Sequence, residues 1–382
     1  MIELQERKMK LIQEGKAVIL APDAKKVSKK MEVFYNPAMQ TNRDITVLIL
    51  NAIPDKQLRI ADPLAGTGIR AIRLCKELET EKIDHVFIND HNEDAVKIIQ
   101  ENLQNNKLTH YDTDNETFFQ TRNNQEHEKH HVHIYNQDAN MFLLKSTGFD
   151  YIDIDPFGTP NPFLDAAIQR ISRNGILGIT ATDTAALAGT YRDVCQRKYW
   201  AMPELSALKH EIGLRILIRK VQLVGMQYEK ALTPIYAYSH QHYMRVFFRA
   251  QKSKEECNIL LKNHQMLGKA GPLWTGTLWD ENLAKKICDT AQNNPDCCGE
   301  TRKLAKTIAE ESFIRQLGFF DVHAIAKELH LTSIPSSEHI FEKIKEKKYQ
   351  LARTHFANTG IRTTMPEKEF MRVLKKLSEK MK

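Results

Sequence analysis

Strand-like and helix-like segments alternate between residues 58 and 180, and this alternation constrains the fold more than any other feature. The first strand of the series is predicted at Leu58–Pro63 and the first helix at Gly68–Leu78. The later segments are predicted strands at His85–Asn89, Val132–Tyr135, Tyr151–Ile154 and Gly175–Thr180, and predicted helices at Glu93–Asn105 and Pro162–Ser172. Alternation at this spacing is typical of a parallel sheet covered by helices on both faces. The sequence therefore predicts an α/β fold with a Rossmann-like sheet.

The length of the chain predicts more than one domain. A chain of 382 residues exceeds the usual size of a single hydrophobic core. We expect residues 1–57 to form a lead-in packed on the sheet domain, residues 58–252 to form that domain, and residues 253–382 to form a second, α+β domain. No apolar run is long enough to span a membrane, and the chain opens with a charged segment, so we expect a soluble cytoplasmic protein.

The positive charge of the chain is concentrated near its C-terminus. The formal net charge is +7. Residues 341–382 contain twelve Lys or Arg against five Asp or Glu, which accounts for the whole net charge and leaves the rest of the chain near neutral. A local positive excess favours a docking surface for a polyanion, although a solvated basic helix has the same composition.

Neither the cysteines nor the histidines predict a metal site. The six cysteines include no Cys-x-x-Cys pair, and we interpret them as reduced and mostly structural. Residues 109–131 interrupt the alternation with a polar stretch that we interpret as a surface insertion. The histidines in and just after it, His127, His130, His131 and His133, favour at most a weak and adventitious metal contact.

A glycine turn follows the first strand of the series. Gly66 and Gly68 permit close approach of the backbone, and the turn presents the amides of a helix N-terminus to a ligand. The same pattern fits a dinucleotide fingerprint, so by itself it leaves NAD and S-adenosyl-L-methionine as alternatives. Asp62, just before the turn, favours S-adenosyl-L-methionine, because a carboxylate there would suit the cationic amino group of a methionine better than a pyrophosphate.

Acidic residues also follow the next two strands. Asp90 comes directly after the second strand and could accept hydrogen bonds from both ribose hydroxyls of either cofactor. After the third strand, Asp138 could accept from an adenine amino group while the amide of Ala139 donates to the adenine ring. Because the carboxyl ends of parallel strands share one edge of a sheet, these acids predict a cofactor-binding wall along that edge.

The fourth strand ends in a segment suited to methylation of an exocyclic amine. Asp155, Pro156 and Phe157 follow the apolar run Tyr151–Ile154. The lone pair of such an amine is delocalised into its ring, and a carboxylate that accepts an N–H bond localises it. An aromatic ring can stack on the base and hold it in line with a methyl donor. Asp-Pro is also common in turns, but the presence of Asp153 and Asp155 in a buried strand favours a functional site.

Several blocks of the sequence resemble the tRNA guanine-N2 dimethyltransferases that modify guanine 26, a family of class I methyltransferases. The resemblance spans nearly the whole chain and is more specific than the glycine turn. The matching blocks are Val33–Pro37, Asn42–Asp44, Thr67–Arg70, Asp155–Gly158, Gly178–Asp183, Arg353–Phe356 and Thr359–Ile361. The resemblance implies transfer of methyl groups from S-adenosyl-L-methionine to N2 of a tRNA guanine, giving N2-methyl- and N2,N2-dimethylguanosine.

The resemblance also implies roles for individual residues and for the second domain. The cofactor-binding residues it implies, beside Asp62, Gly66 and Gly68 of the turn, are Arg43, Arg70, Asp90, Asp138 and Ala139. The two arginines would hold the cofactor carboxylate, which suits the fork of a guanidinium. Asp155 would be the catalytic carboxylate, and Phe34 and Phe157 would sandwich the guanine.

The second domain would be specific to the family and would bind tRNA through its basic surface. Some members hold zinc through four cysteines there. Only Cys257 lies in the corresponding region of this chain, so we expect no metal. We infer tRNA as the macromolecular partner and no obligate protein partner.

Other functions stay as alternatives. A methyltransferase of DNA adenine or of protein glutamine would share the sheet, but those families more often carry Asn-Pro-Pro-Tyr or Asp-Pro-Pro-Tyr than the Asp-Pro-Phe-Gly of residues 155–158. A dehydrogenase would need a His or Tyr acid/base that is not evident beside the glycine turn. A non-catalytic tRNA-binding protein would share the basic C-terminus without needing Asp155 together with the cofactor acids.

Overall fold

A mixed sheet with helices on both faces occupies the centre of the structure. The computed structural model describes residues 9–22, 33–112 and 131–380. The strands are β1 (Met9–Glu14), β2 (Ala17–Pro22), β3 (Leu58–Asp62), β4 (Ile83–Asn89), β5 (His110–Asp112), β6 (His131–Tyr135), β7 (Phe149–Ile154), β8 (Ile171–Ala181), β9 (Lys230–His240), β10 (Tyr243–Lys252), β11 (His264–Leu267), β12 (Ala270–Trp274), β13 (Phe320–Asp321), β14 (Leu351–Arg353) and β15 (Gly360–Thr363).

The helices connect these strands and build most of the C-terminal half. They are α1 (Gln40–Ala52), α2 (Ile69–Glu77), α3 (Glu93–Asn105), α4 (Ala139–Leu144), α5 (Asn161–Arg170), α6 (Thr184–Leu187), α7 (Arg192–Tyr199), α8 (Lys209–Gln227), α9 (Lys254–Lys262), α10 (Glu281–Asn293), α11 (Gly299–Ser312), α12 (Val322–Glu328), α13 (Ser337–Glu346) and α14 (Glu367–Glu379). None of these helices is both long enough and apolar enough to cross a bilayer.

In the central sheet, successive strands are added first on one side of β3 and then on the other. Within the described ranges it has eight strands, in the order β5-β6-β4-β3-β7-β8-β10-β9. The first six pair in parallel, whereas β10 pairs antiparallel with both β8 and β9. The chain moves outward from β3 through β4 on one side and resumes with β7 on the other. The predicted Rossmann-like sheet is present, and its point of reversal lies between β3 and β7.

One helix ends two residues earlier than predicted from the sequence, whereas the other predicted helix boundaries agree to within one residue. The helix predicted at Pro162–Ser172 ends at Arg170, because Ile171 has an extended backbone and begins β8. This early start pairs Ile171 with Phe149 at the beginning of β7. Strand β8 therefore has eleven residues and is longer than predicted.

The polar insertion predicted at residues 109–131 lies mostly outside the described residues, as do His127 and His130. His131 begins β6, and Nε2 of His133 lies 3.0 Å from Nδ1 of His85. Burial lowers the pKa of His133 to about 4. In the described ranges, no group of three or more His, Cys, Asp or Glu is arranged to hold a metal ion.

The N-terminal hairpin β1–β2 packs along α3 through side-chain amides. Oδ1 of Asn106 accepts from the backbone amide of Val18 at 3.0 Å, and Oδ1 of Asn102 accepts from that of Leu20 at 2.6 Å. An asparagine amide carries both a donor and an acceptor, so it can pair a strand edge as a neighbouring strand would. Ile19 is fully buried in the same apolar core as the central sheet, which fixes the hairpin to that core.

Two apolar cores divide the C-terminal half. Residues of α9 to α11, such as Leu260, Ile287 and Ile308, belong to the core of the central sheet. A second core, which includes Val322 and Phe370, is formed by α12 to α14 and their small sheet. The apolar packing thus changes between residues 308 and 322, and the predicted division after residue 252 stays a prediction.

A buried charge network joins this second core to the rest of the protein. Arg362 of β15 donates from Nε to Glu311 of α11 at 2.9 Å and from Nη2 to Glu211 of α8 at 2.8 Å. Glu311 also accepts from the hydroxyl of Thr354 at 2.7 Å and pairs with His355. Arg362 is therefore one basic residue of the 341–382 region that is neutralised inside the fold and does not add to its surface charge.

We expect Glu311→Ala to destabilise the protein strongly, because it leaves the buried Arg362 guanidinium and the Thr354 hydroxyl without this partner. Loss of one member of a buried pair costs about 3–5 kcal/mol. Chemical denaturation should show this loss, while Glu310→Ala, at the exposed neighbouring position, should stay within about 0.5 kcal/mol of wild type. Equal stability of the two variants would contradict a structural role for the network.

Candidate active site

The carboxyl ends of β3 and β7 meet where the winding reverses. Strand β3 ends at Asp62, and Asp155 directly follows β7. Parallel pairing of the two strands, with Ile60 opposite Tyr151, brings both ends to the same edge. Ligands of open α/β sheets bind at such a point of reversal. A cofactor and a substrate can therefore meet at this edge.

The glycine turn between β3 and α2 is closed by two neighbouring segments. Gly66 and Gly68 have φ values of 57° and 75°, which other residues adopt only at a cost. A Cβ atom on Gly66 would lie 2.7 Å from the carbonyl oxygen of Phe34, so only glycine fits beneath that segment. The amide of Gly66 donates to Oδ2 of Asp90 at 2.9 Å. The turn, the end of β4 and the segment before α1 thus form one unit.

Asn89, the last residue of β4, ties three strand ends together. Its Nδ2 donates to the carbonyl oxygens of Pro63 and Gln137, both at 3.0 Å, and its Oδ1 accepts from the amide of Gln137 at 3.0 Å. This fully buried side chain therefore holds the glycine turn and the loop after β6 at a constant separation.

Asp138 caps helix α4 at the third strand end. Its Oδ1 accepts from the amides of Asn140 and Met141 at 3.0 and 3.1 Å, which satisfies two donors of the first helical turn. Ala139 is buried and begins the helix. Only one oxygen of the exposed Asp138 carboxylate is used by the cap.

Two buried polar atoms beside the glycine turn make no hydrogen bond within the described residues, Oδ2 of Asp62 and Oγ1 of Thr67. Buried polar atoms are normally paired, so their presence indicates a ligand that supplies the partner. Both can accept from the ammonium and hydroxyl groups of S-adenosyl-L-methionine. Burial raises the pKa of Asp62 to about 7, and the nearby Arg70 opposes this only in part. The residues present fit this cofactor.

Asp155 pairs with Arg70, a buried arginine of the helix that follows the glycine turn. Nη2 of Arg70 donates to Oδ2 of Asp155, and Nη1 lies 3.3 Å from Oδ2 of Asp153. Nη1 also donates to Oδ1 of Asn42 at 2.9 Å and to Oγ1 of Thr46 at 3.0 Å. Oδ1 of Asp155 makes no hydrogen bond within the described residues. The carboxylate is thus fixed through one oxygen, while its other oxygen is left without a partner among these residues.

A second arginine completes the cluster beneath Asp155. Arg245 of β10, which is fully buried, contacts both oxygens of Asp153 at 3.0 and 2.5 Å. The hydroxyl of Tyr151 also donates to Asp153. Burial alone would raise the pKa of Asp153, but Arg245 and Arg70 hold it below its usual range. Two guanidiniums and two carboxylates therefore balance one another at the end of β7.

Arg43 lies in α1 and pairs with a carboxylate of the N-terminal hairpin. Its Nε and Nη2 donate to the two oxygens of Glu14 at 2.6 and 2.5 Å, and Nη2 also donates to the carbonyl of Asn36 at 3.1 Å. Burial opposes ionisation of Glu14, but Arg43 and Arg73 lower its pKa to about 2. Both arginines expected to bind the cofactor carboxylate therefore already have partners within the protein.

Phe34 and Phe157 contact each other in the lining of a cavity that also includes Asp155. The cavity has a volume of about 160 Å³, and Thr182 and Tyr243 also line it. The ring centroids of the two phenylalanines are 4.0 Å apart, and their planes make an angle of 70°. Phe157 is 41% exposed. The structure thus brings together the aromatic pair and the carboxylate predicted from the sequence.

Several residues that support the site were not predicted from the sequence. Arg245 is charged within the apolar run Tyr243–Phe248, a signal that a buried carboxylate lies opposite it. The sequence around Asn89 indicates only the end of a strand. Glu14 gave no signal, because its partner Arg43 is distant in sequence and the pairing depends on how the hairpin packs.

A carboxylate in the wall of an aromatic cavity, next to a glycine turn with unpaired acceptors, meets the needs of methyl transfer to an amine on a flat base. The fold and the site together define a class I methyltransferase. More particularly, the chain belongs to the N2,N2-dimethylguanosine tRNA methyltransferase family, which its residues 15–269 and 256–375 match.

Named relatives and a solved structure agree with this assignment. The chain is 36% identical to the tRNA (guanine(26)-N(2)/guanine(27)-N(2))-dimethyltransferase of Aquifex aeolicus, over 97% of this chain and 96% of that protein. It is 35% identical to the tRNA (guanine(26)-N(2))-dimethyltransferase of Methanocaldococcus jannaschii, over 92% and 95%. The structure of Trm1 from Pyrococcus horikoshii with S-adenosyl-L-methionine superposes with a TM-score of 0.81 at 32% identity, over 96% and 99%.

These similarities confirm the predicted family and the α/β methyltransferase fold with an additional C-terminal domain. They also confirm the predicted enzyme class, S-adenosyl-L-methionine-dependent methylation of a tRNA guanine at N2. The roles of individual residues stay predictions.

Asp62→Asn should stabilise the cofactor-free protein more at pH 8 than at pH 5. The raised pKa of Asp62 means that the folded state binds this proton more tightly than the unfolded state, whose aspartate has a pKa of about 3.9. The folded state therefore loses stability as the pH rises from about 4 to about 7. Asparagine removes this loss, which amounts to roughly 1–4 kcal/mol above pH 7.

Thermal denaturation of wild type and variant at the two pH values measures this difference. Asp289→Asn, at an exposed position on α10, should show no pH-dependent gain. A gain for Asp62→Asn that is the same at pH 5 and pH 8 would show that Asp62 is not a strained carboxylate.

Proposed function

We propose that this protein methylates N2 of guanine 26 in tRNA, first to N2-methylguanosine and then to N2,N2-dimethylguanosine. The position of Asp155 supports this most directly, because its carboxylate lies both in the cavity of Phe34 and Phe157 and beside the edge with the glycine turn. A base in that cavity would present its amino group to Asp155 near the cofactor. The relatives from Aquifex aeolicus and Methanocaldococcus jannaschii are named for guanine 26, which supports this position.

In this proposal, each acid along the edge binds a different part of the cofactor. When bound, S-adenosyl-L-methionine supplies a methyl group on a positively charged sulfur. Asp62 would pair with the ammonium of its methionine part, and Asp90 would accept from the ribose hydroxyls. Asp138 would accept from the adenine amino group while the amide of Ala139 donates to the ring.

Arg43 and Arg70 would bind the cofactor carboxylate with the donors that the protein leaves unused. A guanidinium has five N–H donors. Arg43 uses Nε and Nη2 for Glu14 and Asn36, and Arg70 uses Nη1 and Nη2 for its partners. Nη1 of Arg43 and Nε of Arg70 are therefore available for a further acceptor.

Asp155 has two tasks in the transfer. Its Oδ1 would accept an N–H bond from N2, which localises the lone pair for attack on the methyl group. As the new N–C bond forms, the bond between that methyl group and the cofactor sulfur would break and leave a neutral thioether. N2 would gain the positive charge, and Asp155 would accept the proton that N2 loses. An aminium on a guanine ring is a strong acid, so it gives up its proton readily. The same steps serve a second transfer once the N-methyl group has turned away from the donor.

Phe34 and Phe157 would hold the guanine after it leaves the tRNA stack. Extrusion costs a few kcal/mol, and stacking on each aromatic ring returns about 1–3 kcal/mol. A base between two rings needs about 7 Å between their planes, since each carbon contact takes 3.5–4.0 Å. The rings now touch edge to face, so one must move when the base enters. Phe157 is suited to this, because it lies on a turn before Gly158, whose φ is 90°.

The basic C-terminal region would bind the tRNA backbone. Its exposed residues include Lys345, Lys348, Lys368, Lys375 and Lys376, on or beside α13 and α14. Neutralising phosphates with such residues makes affinity fall as salt rises. The cytoplasmic location and the lack of an obligate protein partner stay predictions.

Asp155→Asn should lower kcat for methyl transfer to unmodified tRNA by at least about 100-fold. Asparagine keeps an oxygen for Arg70 but cannot take a proton, so binding of S-adenosyl-L-methionine should change little. Labelled methyl transfer followed by nucleoside analysis measures the activity, and calorimetry measures cofactor binding. Asp165→Asn, at an exposed position on α5, is the matched control.

Wild-type transfer to a different nucleoside would favour an amine methyltransferase with another substrate. Tight binding of tRNA without any transfer would favour a binding protein. Mapping the product along the tRNA would show whether guanine 26 alone is modified.

Phe157→Ala should raise KM for tRNA and lower kcat, together by about tenfold or more in kcat/KM, because it removes one stacking surface. Phe157→Tyr keeps the ring and should stay within about threefold of wild type. Steady-state kinetics at saturating S-adenosyl-L-methionine separates these effects from cofactor binding. Equal activity of both variants would remove Phe157 from the guanine site.

A further inference from the structure

Two large aromatic side chains are exposed at the two ends of helix α7. Tyr191 precedes the helix and is 60% exposed, and Trp200 follows it and is 49% exposed. The other two tryptophans of the chain, Trp274 and Trp279, are buried. An eight-residue helix is about 12 Å long, so the two rings flank a short, narrow surface. We call residues 191–200 the α7 platform.

The ring of Trp200 is held from below. Nζ of Lys220, a buried residue of α8, lies 2.9 Å from the ring centroid, and Arg219 donates to the carbonyl oxygen of Trp200 at 3.1 Å. Trp200 has a φ of 56°, which a bulky residue adopts only when its surroundings require it. The cation occupies one face of the indole and leaves the other face for stacking.

The α7 platform is fastened to the loops that form the catalytic cavity. Asp183, directly after the cavity residue Thr182, accepts from the hydroxyl of Tyr199 at 2.6 Å and pairs with Lys198 at 3.3 Å. Nδ2 of Asn161 donates to the carbonyl oxygen of Lys198 at 2.8 Å. The C-terminal end of α7, where Trp200 lies, is therefore tied to Asp183 and Asn161, which follow the cavity residues Thr182 and Phe157 in the chain.

The exposed face of the α7 platform carries positive charge. Arg192 and Arg197 are exposed and form no ion pair or hydrogen bond with residues that the structure describes. Asp193 is the only acid among residues 191–200, against Arg192, Arg197 and Lys198. Aromatic rings together with unpaired arginines are typical of surfaces that bind unstacked nucleotides.

We propose that the α7 platform binds an unpaired nucleotide of the tRNA strand next to the target guanine, with its base stacked on Trp200 and its phosphates near Arg197. This inference rests on the proposed function. Removal of a guanine from its stack exposes the faces of the neighbouring bases, and a fixed ring beside the cavity replaces the lost contact. The platform is separate from the basic C-terminal region, and it would bind nucleotides next to the target guanine.

Trp200→Ala should raise KM for tRNA about tenfold, since base stacking on one ring has that effect on affinity. The kcat and the Kd for S-adenosyl-L-methionine should change less than about threefold. Trp200→Phe keeps a ring over Lys220 and should restore most of the affinity. Phe313→Ala, which removes another exposed ring at the end of α11, should leave KM unchanged.

The dependence of tRNA affinity on salt concentration separates the contribution of charge from that of stacking. The tRNA affinity of Trp200→Ala should keep the wild-type salt dependence, because no charge is lost, whereas Arg197→Ala should reduce the slope by about one phosphate contact. Arg173→Ala is the matched control, because Arg173 is exposed near the start of β8, at the opposite edge of the sheet.

Tryptophan fluorescence gives a measurement that does not depend on turnover. Titration with tRNA should quench the emission of the wild type through stacking on Trp200, and Trp200→Phe should lose this quenching while still binding tRNA. Unchanged KM in Trp200→Ala, or undiminished quenching in Trp200→Phe, would overturn the platform. Absence of N2 methylation by the wild-type protein would instead contradict the proposed function, and loss of cofactor binding in Trp200→Ala would show that Trp200 is structural.

Discussion

The ion pair between Arg70 and Asp155 is the interaction on which the site depends. It lies at the reversal of the sheet, where Arg70 comes from the helix after the glycine turn and Asp155 from the end of β7. A buried arginine is tolerated only where carboxylates neutralise it, and here Asp153 and Arg245 complete the balance. The pair therefore links the half of the sheet that carries the cofactor acids to the half that carries the substrate cavity, and loss of either member would unbalance both.

The same pair distinguishes the two oxygens of Asp155, the carboxylate that we propose to be catalytic. Arg70 holds Oδ2 of Asp155, which sets the direction of the side chain at the rim of the cavity. In the proposed reaction, Oδ1 would accept the hydrogen bond from the amino group of the base. Asp62, a few residues earlier in the chain than Arg70, lies buried without such a partner at Oδ2, and its pKa is raised for that reason. One edge thus contains a paired acid suited to accept a proton and an unpaired acid suited to bind a cation.

The sequence predicted the parts of the site that follow from strand ends. Asp90 and Asp155 come directly after predicted strands, and Gly66 and Gly68 lie in the turn after another, so their meeting at one edge follows from the alternation alone. The approach of Phe34 to this edge followed only from the family resemblance, because no local pattern places that segment. Pairs such as Glu14 with Arg43, and the burial of Arg362 in the basic region, depend on three-dimensional packing between distant segments. Composition counts charges, but packing decides which of them reach the surface.

Repeated transfer to one amine places opposite demands on the two walls of the cavity. The carboxylate must stay in place, because the second N–H must find the same acceptor after the first methyl group has turned away. The network beneath Asp155 provides this rigidity through β7 and β10. The aromatic wall must instead move. The ring centroids of Phe34 and Phe157 are only 4.0 Å apart, and a base that stacks on both rings must fit between them. A rigid strand end beside a ring on a glycine-containing turn satisfies both demands, and a methylated guanine can be kept for a second reaction without rearrangement of the sheet.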